Sequence, residues 1–242
     1  MKVFIDPGHN PSGGDTGAQG NGLREQDVTY QIGSKLAQLL QAKGADVKLS
    51  RPTVTSSVGT TVTESINGRV KMANDWGADY FVSIHCNAAA AVSANGTETL
   101  VYGKSGKAYE LARAVNARMA GLGLTDRGVK ERPDLGVLRG TNMPAILVET
   151  AFISNTSDAW LLCERPGDIA RAILDGICEY LGLEVERMAK VTFIGSGKNI
   201  KAAVDGRTIA DSSLVEYNGK TVCLGVADFL RALGHEVEWK AE

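Results

Sequence analysis

Residues 2–50 read KVFIDPGHNPSGGDTGAQGNGLREQDVTYQIGSKLAQLLQAKGADVKLS and set the architecture of the chain. The apolar run KVFID (2–6) predicts a buried strand, and a glycine-rich polar loop follows it. A helix is predicted over 25–44, ending at Gly44, because its apolar residues fall on one helical face. These residues are Val28, Ile32, Leu36 and Leu39. The run DVKLS (46–50) predicts the next strand, so the stretch indicates a strand–helix–strand unit.

Short β-rich runs and helical patterns keep alternating to about residue 182. Further strands are predicted at YFVSIH (80–85), TETLVYG (97–103) and AILVET (145–150). Further helices are predicted at 64–77, 107–123, 156–163 and 167–182, and a loop at 127–143. Near-continuous apolar strands that alternate with helices predict an α/β fold. Its central sheet is expected to be twisted and largely parallel, with helices flanking both faces.

The sequence changes character near residue 184, which predicts a domain boundary. We expect a main domain over 1–183, a short charged linker over 184–189 and a small α+β C-terminal domain over 190–242. Within the small domain, turns are predicted at Asp205-Gly206 and Asn218-Gly219. A helix is predicted at VADFLRALG (226–234) and a closing strand at HEVEW (235–239).

The composition is that of an ordinary globular protein, with 43% hydrophobic residues and a net charge of only -2. This charge gives no reason to expect a nucleic acid or an anionic membrane surface as partner. No apolar run reaches the length of a membrane span, so we expect no membrane insertion. The N-terminus shows no secretory leader, which predicts a protein made in the cytoplasm. The cysteines form no CxxC pair and are expected to be reduced and buried: Cys86, Cys163, Cys178 and Cys223.

Acid and imidazole groups gather where the predicted strands end. His9 follows the first strand, His85 ends YFVSIH and Glu149 closes AILVE. Ligands of open α/β sheets bind outside the carboxyl ends of the strands, and Glu25, at the start of the first helix, can fold back over the same edge. Two histidines and a carboxylate are a known ligand set for catalytic zinc, and a nearby carboxylate can take a proton from water. The candidate ligands are therefore His9, Glu25 and His85, with Glu149 as candidate base.

Structural roles for the same residues stay open at this point. A strand-end histidine is commonly a hydrogen-bonded structural residue, and a glutamate at a helix start favours the helix dipole. Glu149 is harder to explain in this way, because a carboxylate at the end of a buried strand needs a partner. The glycine-rich loop could suggest phosphate binding, but it holds no GxGxxG, and the chain holds no GxxxxGKS or GxxxxGKT.

Several ordered motifs carry a resemblance to a known family. The segment DPGHNPSGGDTGAQGNGLREQD (6–27) closely resembles the opening of the zinc-dependent N-acetylmuramoyl-L-alanine amidases of the amidase-3 type. Further matches follow in the order of that family: SRP (50–52), GRVKMAN (68–74), GADYFVSIHCNA (77–88) and PAILVETAFISN (144–155). The resemblance covers about residues 2–182. There are two departures, an insertion after DPGH and Ala151 in place of the usual glycine, and both could reshape the cleft.

The resemblance implies one zinc ion per catalytic domain, held by His9, Glu25 and His85, with Glu149 as the catalytic residue. It also implies peptidoglycan as substrate and hydrolysis of the amide between N-acetylmuramic acid and L-alanine. Candidate substrate-binding residues are Asn87, Arg69, Arg132 and Arg139, although ordinary surface arginines are an alternative for the last two. Rival interpretations are a zinc carboxypeptidase or small-molecule amidohydrolase, and a non-catalytic wall-binding protein on the same scaffold.

The C-terminal segment NGKTVCLGVADFLRALGHEVEW (218–239) resembles the copper-amine-oxidase-N-like, or stalk, modules of wall-associated proteins in Gram-positive bacteria. This resemblance implies wall attachment or self-association, and a packing appendage is the alternative. An amidase with such a module and no leader predicts a phage or prophage endolysin that is made in the cytoplasm and acts on the cell wall. The alternative is a host autolysin or a spore-lysis amidase.

Overall fold

The computed structural model describes residues 1–184 throughout and, beyond them, strands between 190 and 240. The chain divides into two compact units, Met1–Glu184 and Val185–Glu242. Among the described residues, every helix is too short or too polar to cross a membrane.

A six-stranded sheet forms the centre of the first unit, in the order β4-β1-β5-β8-β6-β7. Its strands are β1 Lys2–Pro7, β4 Asp46–Leu49, β5 Tyr80–Asn87, β6 Thr97–Val101, β7 Asp126–Glu131 and β8 Ala145–Phe152. A small hairpin, β2 Gln19–Gly20 with β3 Leu23–Arg24, lies in the loop after β1. Neighbouring strands of the large sheet are parallel except β6 and β8, which are antiparallel. The predicted α/β fold with a largely parallel sheet is confirmed.

Six α-helices accompany this sheet: α1 Glu25–Ala42, α2 Val62–Trp76, α3 Gly106–Ala120, α4 Gly136–Gly140, α5 Thr156–Glu164 and α6 Pro166–Leu181. Helix α6 packs against α1 and α3, while α2 packs against α4. The α2–α4 side has its own apolar core, in which the rings of Phe4 and Phe81 stack with their centroids 5.7 Å apart. Phe4 belongs to β1 and Phe81 to β5, so this core fixes the two strands that lead to the histidines.

Helix α2 begins two residues earlier than the predicted start at residue 64 because of a capping box. The side chain of Thr61 accepts a hydrogen bond from the backbone N–H of Glu64, whose carboxylate accepts one from the N–H of Thr61 in return. These bonds satisfy N–H groups that the first helical turn leaves unpaired. Gly77, in the left-handed conformation with φ 64°, ends the helix.

The prediction of a loop over 127–143 is wrong, because this segment contains most of β7 and all of α4. Strand β7 reads DRGVKE and lies at the edge of the sheet, where β6 is its one partner among the described strands. An edge strand covered on one side needs few apolar residues, so its sequence resembles a loop. Helix α4 spans a single turn, too short for a helical period to show.

The second unit contains a four-stranded sheet in the order β11-β10-β9-β14. Its strands are β9 Lys190–Ser196, β10 Asn199–Val204, β11 Arg207–Ser213 and β14 Glu236–Lys240, and a separate pair is formed by β12 Glu216–Tyr217 and β13 Lys220–Thr221. The predicted turns at 205–206 and 218–219, the helix at 226–234 and linker residues 185–189 lie outside the described residues.

The cysteines of the first unit follow the prediction only in part. Cys86 and Cys178 are buried, but Cys163 is exposed. Its helix α5 turns Leu161 and Leu162 inward and leaves the next position on the solvent side. Cys223 lies outside the described residues.

Candidate metal centre

The predicted ligands His9, Glu25 and His85 come together at one end of the sheet. One ligand atom from each lies within 4.8 Å of the others. His9 Nε2 is 3.2 Å from Glu25 Oε1, and His85 Nδ1 is 3.1 Å from the same oxygen. The two imidazole rings meet edge to face, with their centroids 4.8 Å apart. Two nitrogens and a carboxylate that converge in this way suit a zinc ion with an open fourth position.

Glu25 is held as a carboxylate by its surroundings. Its Oε2 accepts a hydrogen bond from the N–H of Ala18 at 2.8 Å, and its Oε1 accepts one from the N–H of Cys86 at 2.9 Å. Burial by itself would raise the pKa of Glu25, but hydrogen bonds from His85 and His9 outweigh it and hold the pKa well below its usual range. A buried, fixed anion between two imidazoles is what a metal cation requires.

Asp15 orients the first histidine and is a residue that the sequence analysis missed. Its Oδ1 lies 3.0 Å from Nδ1 of His9, which leaves Nε2 to face Glu25. Burial by itself would lower the pKa of His9, but the hydrogen bonds to Asp15 and Glu25 outweigh it and raise the pKa to about 9. A carboxylate on the outer nitrogen of a metal-binding histidine fixes the ring and increases its basicity. The available signal is the stretch Asp15-Thr16-Gly17-Ala18, which lies within the segment 6–27 that resembles the opening of the family.

Glycines let the backbone approach the ligands closely. A Cβ atom on Gly8 would lie 2.4 Å from Cε1 of His85, and one on Gly17 would lie 2.6 Å from Oε2 of Glu25. Both distances are shorter than atoms can tolerate, so any larger residue would displace a ligand. The glycine-rich loop therefore wraps the cluster.

Glu149 stands beside the cluster on strand β8, in register with His85 on β5. Its Oε2 atom is buried and has no hydrogen-bond partner among the described residues. Burial raises the pKa of Glu149 to about 7, and the carboxylates of Glu25 and Glu98 act in the same direction. A carboxylate with such a pKa and a free oxygen can accept a proton from water near neutral pH.

Three of the predicted substrate-binding residues lie at the surface. Asn87 ends β5 half-buried, and its Oδ1 accepts a hydrogen bond from the N–H of Ala88. Arg132 and Arg139 are held by one neighbour: Nη2 of Arg132 lies 2.7 Å from Oδ2 of Asp134, and Nη1 of Arg139 donates to the carbonyl of Asp134 at 3.4 Å. Both arginines keep exposed area, so contact with a substrate stays a prediction.

Arg69 is a correction. We expected it to contact substrate, but its side chain is only 3% exposed and lies beneath the loop that carries His9. Its guanidinium pairs with Asp6 and donates to the carbonyl oxygens of Pro7 and His9. With its donors directed at its own chain, Arg69 supports the loop from the inside.

Each of the two departures from the family pattern places one side chain inside the protein. In the inserted segment, Asn10 is 1% exposed. It exchanges two hydrogen bonds with the backbone of Val58, at 3.0 and 2.9 Å, and thereby ties the loop to the segment after β4. Ser12 is exposed. Ala151 is fully buried, so its methyl group fills core space.

A family model described as Amidase_3, N-acetylmuramoyl-L-alanine amidase, matches residues 3–179. The matched range contains the three clustered ligands and Glu149. It ends before the second compact unit begins.

Similar proteins come from a bacterium and from a phage. The N-acetylmuramoyl-L-alanine amidase LytC of Bacillus subtilis (strain 168) is 40% identical over 184 residues, covering 74% of this chain and 35% of LytC. The endolysin of Bacillus phage SPP1 is 35% identical over 192 residues, covering 75% of this chain and 66% of the endolysin. The chain therefore spans about a third of the first relative and just under two thirds of the second.

Among solved structures, the N-acetylmuramoyl-L-alanine amidase of Clostridium difficile 630 superposes with a TM-score of 0.67 at 34% identity. The match covers 75% of this chain and 97% of that one. The match thus includes nearly the whole of that solved chain.

Proposed function

The chain belongs to the Amidase_3 family of N-acetylmuramoyl-L-alanine amidases, and from that premise we propose that it is a zinc-dependent enzyme that hydrolyses peptidoglycan. The bond cleaved is the amide between the lactyl group of N-acetylmuramic acid and L-alanine. The proposed zinc ligands are His9, Glu25 and His85, and the proposed general base is Glu149.

The observation that supports this most strongly is the convergence of these groups at one sheet edge. The three ligand atoms lie within 4.8 Å of one another, and Glu149 is in register with His85 on the adjacent strand. The donor set fits zinc, since imidazole nitrogen and carboxylate oxygen are its usual ligands in hydrolytic enzymes. A zinc ion in such a site supplies Lewis-acid chemistry, which polarises a carbonyl group and makes water more acidic.

The protein's own residues then handle the proton. The unpaired Oε2 of Glu149 takes a proton from the attacking water and passes one to the departing alanine nitrogen. Its raised pKa, about 7, suits both halves of this exchange near neutral pH. Asp15 keeps His9 in the orientation that presents Nε2 to the centre.

Digestion of purified peptidoglycan by wild type and Glu149→Gln tests the proposal. Wild type is expected to release new L-alanine amino termini without new reducing sugars, and to lose activity with a chelator and regain it with zinc. Glu149→Gln is expected to lose about 10²-fold or more of the activity, which is the usual contribution of a positioned general base. Its zinc affinity should be unchanged.

Glu110→Gln on the exposed face of α3 serves as the matched control and should keep full activity. New reducing ends would contradict the amidase assignment. Full activity of Glu149→Gln would contradict the assigned base, and wall binding without any cleavage by wild type would favour a non-catalytic wall-binding protein.

For the biological role we propose an endolysin, on the similarity to the SPP1 phage endolysin. A host amidase is the second candidate, because identity to LytC is 40%. Production of the chain inside a Gram-positive bacterium, followed by chemical permeabilisation of the membrane, separates the two. An endolysin should cause abrupt lysis after permeabilisation, absent with Glu149→Gln, whereas slow, limited cleavage without lysis would favour the host role.

A further inference from the structure

The backbone at His9 adopts a conformation that a histidine rarely takes. Its φ is 64°, in the left-handed region, where the Cβ atom lies too close to the following carbonyl oxygen. His9 is one of only two described non-glycine residues with a positive φ. A strained residue of this kind persists only where its surroundings hold it in place.

Side-chain donors hold the carbonyl groups of this turn. The carbonyl of Pro7 accepts from Nη1 of Arg69 at 2.8 Å, and that of Gly8 accepts from Oγ1 of Thr29 at 2.9 Å and from Nη1 of Arg51 at 3.3 Å. The carbonyl of His9 itself accepts from both guanidinium groups, from Nη2 of Arg69 at 2.7 Å and from Nη1 of Arg51 at 3.0 Å. Two cations thus hold one carbonyl oxygen, and charge-assisted bonds of this type are stronger than neutral ones.

Arg51 also reaches the helix that carries the second ligand. The same Nη1 atom donates to the carbonyl of Gln26 at 3.0 Å, one residue after Glu25. One nitrogen therefore connects the backbone beside His9 to the backbone beside Glu25.

The cost of burying Arg51 indicates that this nitrogen matters. Its side chain is fully buried, and its Nε and Nη2 atoms have no hydrogen-bond partner in the described part of the chain. The ring of Tyr30, 5.4 Å from the guanidinium carbon, faces the cation. Buried donors without partners are expensive, and a neighbouring cation, Arg69, adds repulsion. An apolar residue would avoid both costs but could not hold the three carbonyl groups.

We propose that Arg51, together with Arg69, is a positioning residue for the metal centre: the two guanidinium groups hold the strained turn that directs His9 at Glu25 and His85. This inference rests on the metal-binding part of the proposed function. It assigns no contact with substrate to either arginine.

The two arginines differ in a way that sharpens the test. Arg51 uses a single nitrogen, which a lysine ammonium with its three donors can replace. Arg69 spreads its contacts over Nε, which donates to Ser65, and over both Nη atoms, a fork that lysine cannot reproduce. Lysine should therefore rescue the function at position 51 and fail at position 69.

The experiment measures zinc affinity of the metal-free full-length protein by competition with a chelating dye, with far-UV circular dichroism to verify folding. Arg51→Met is expected to bind zinc about tenfold or more weakly, as is usual when the support of a metal ligand is removed. Arg51→Lys should stay closer to wild type than to Arg51→Met, and Arg69→Lys should be weakened. Arg171→Met is the matched control and should bind as wild type does, because Arg171 lies on helix α6 and pairs there with Asp175.

Zinc binding by Arg51→Met at wild-type affinity, or tighter because a repelling cation is gone, would overturn the inference. A lower thermal midpoint with unchanged zinc affinity would also overturn it, since it would show a structural role alone. If Arg51→Met does not fold, Arg51→Gln replaces it, with the same expected loss. Failure of wild type and the Arg171 control to bind zinc would instead refute the proposed function.

Discussion

Asp15 and His9 show how a single contact can set the geometry of the candidate centre. Asp15 Oδ1 lies 3.0 Å from His9 Nδ1, so the other ring nitrogen is the one that faces Glu25. Without the carboxylate, the imidazole can rotate and its outer nitrogen loses a charged partner. Asp15→Ala is therefore expected to weaken zinc binding about 10- to 100-fold.

Competition with a chelating dye measures this affinity directly. Asp75→Ala is the matched control, because Asp75 lies on α2 with 63% of its side chain exposed and pairs only with Lys71 in the described ion pairs. Equal zinc affinity in Asp15→Ala and wild type would refute the orienting role.

The three proposed ligands and Glu149 could be predicted from sequence, because strand ends and a family pattern both point to them. The roles of Asp15 and Arg69 do not follow from strand ends or residue spacing, for a physical reason. Asp15 acts through the side chain of His9, which lies 6 positions away in the sequence. Arg69 acts through the side chain of Asp6, 63 positions away, and through backbone carbonyl groups. From sequence alone, an arginine in a family motif can be interpreted as a substrate contact. Only the structure shows that the donors of Arg69 are buried and face its own chain.

At the scale of elements, one buried ion pair connects four parts of the fold. Asp6 on β1 pairs with Arg69 on α2, while its two oxygens also accept from Ser50 after β4, at 2.6 Å, and from Ser83 on β5, at 2.8 Å. This pair lies directly under the turn at His9. Removing one partner of a buried pair leaves an uncompensated charge, which usually lowers the free energy of unfolding by about 3–5 kcal/mol.

Asp6→Asn is accordingly expected to lower the free energy of unfolding by about 3–5 kcal/mol at neutral pH. Burial alone would raise the pKa of Asp6, but the charge of Arg69 and the hydrogen bonds from Ser50, Arg69 and Ser83 outweigh it and lower the pKa from 3.8. The folded protein thus keeps Asp6 ionised at a lower pH than the unfolded chain does. The stabilisation is full well above pH 3.8 and is lost as the pH falls through the folded value.

Denaturant unfolding of wild type and Asp6→Asn at several pH values tests this sign. The difference between the two proteins should be largest at neutral pH and should shrink in acid. The exposed variant Asp75→Asn should change little at any pH, and a difference for Asp6→Asn that does not vary with pH would contradict the assignment.

The elements that sequence analysis found and those it missed differ in how deeply they are buried. Strands β1, β5 and β8 are almost wholly buried, so their apolar runs are unmistakable. Strand β7 has no buried residue, so its sequence predicts a loop. Its place in the sheet is set by parallel pairing with β6, a long-range contact that leaves no period in the sequence.

For the molecule as a whole, the separation into two units makes a division of labour testable. The first unit holds the six-stranded sheet, the apolar core on the α2–α4 side and the whole candidate centre, and the family match ends inside it. The solved chain of the similar Clostridium difficile amidase is matched over 97% of its length by 75% of this chain. A chain of residues 1–184 should therefore fold alone and cleave a soluble muropeptide with the kcat/KM of the full protein.

The resemblance to stalk modules implies that the segment after residue 184 attaches the protein to the cell wall. Binding to insoluble cell walls should then distinguish the full-length chain from a chain of residues 1–184. The inactive variant Glu149→Gln, in full-length and 1–184 forms, avoids digestion of the walls during the measurement. Co-sedimentation should retain the full-length form and leave most of the short form in solution. Equal retention would assign wall binding to the first unit, and loss of muropeptide cleavage by the active short form would show that the candidate centre depends on the second unit.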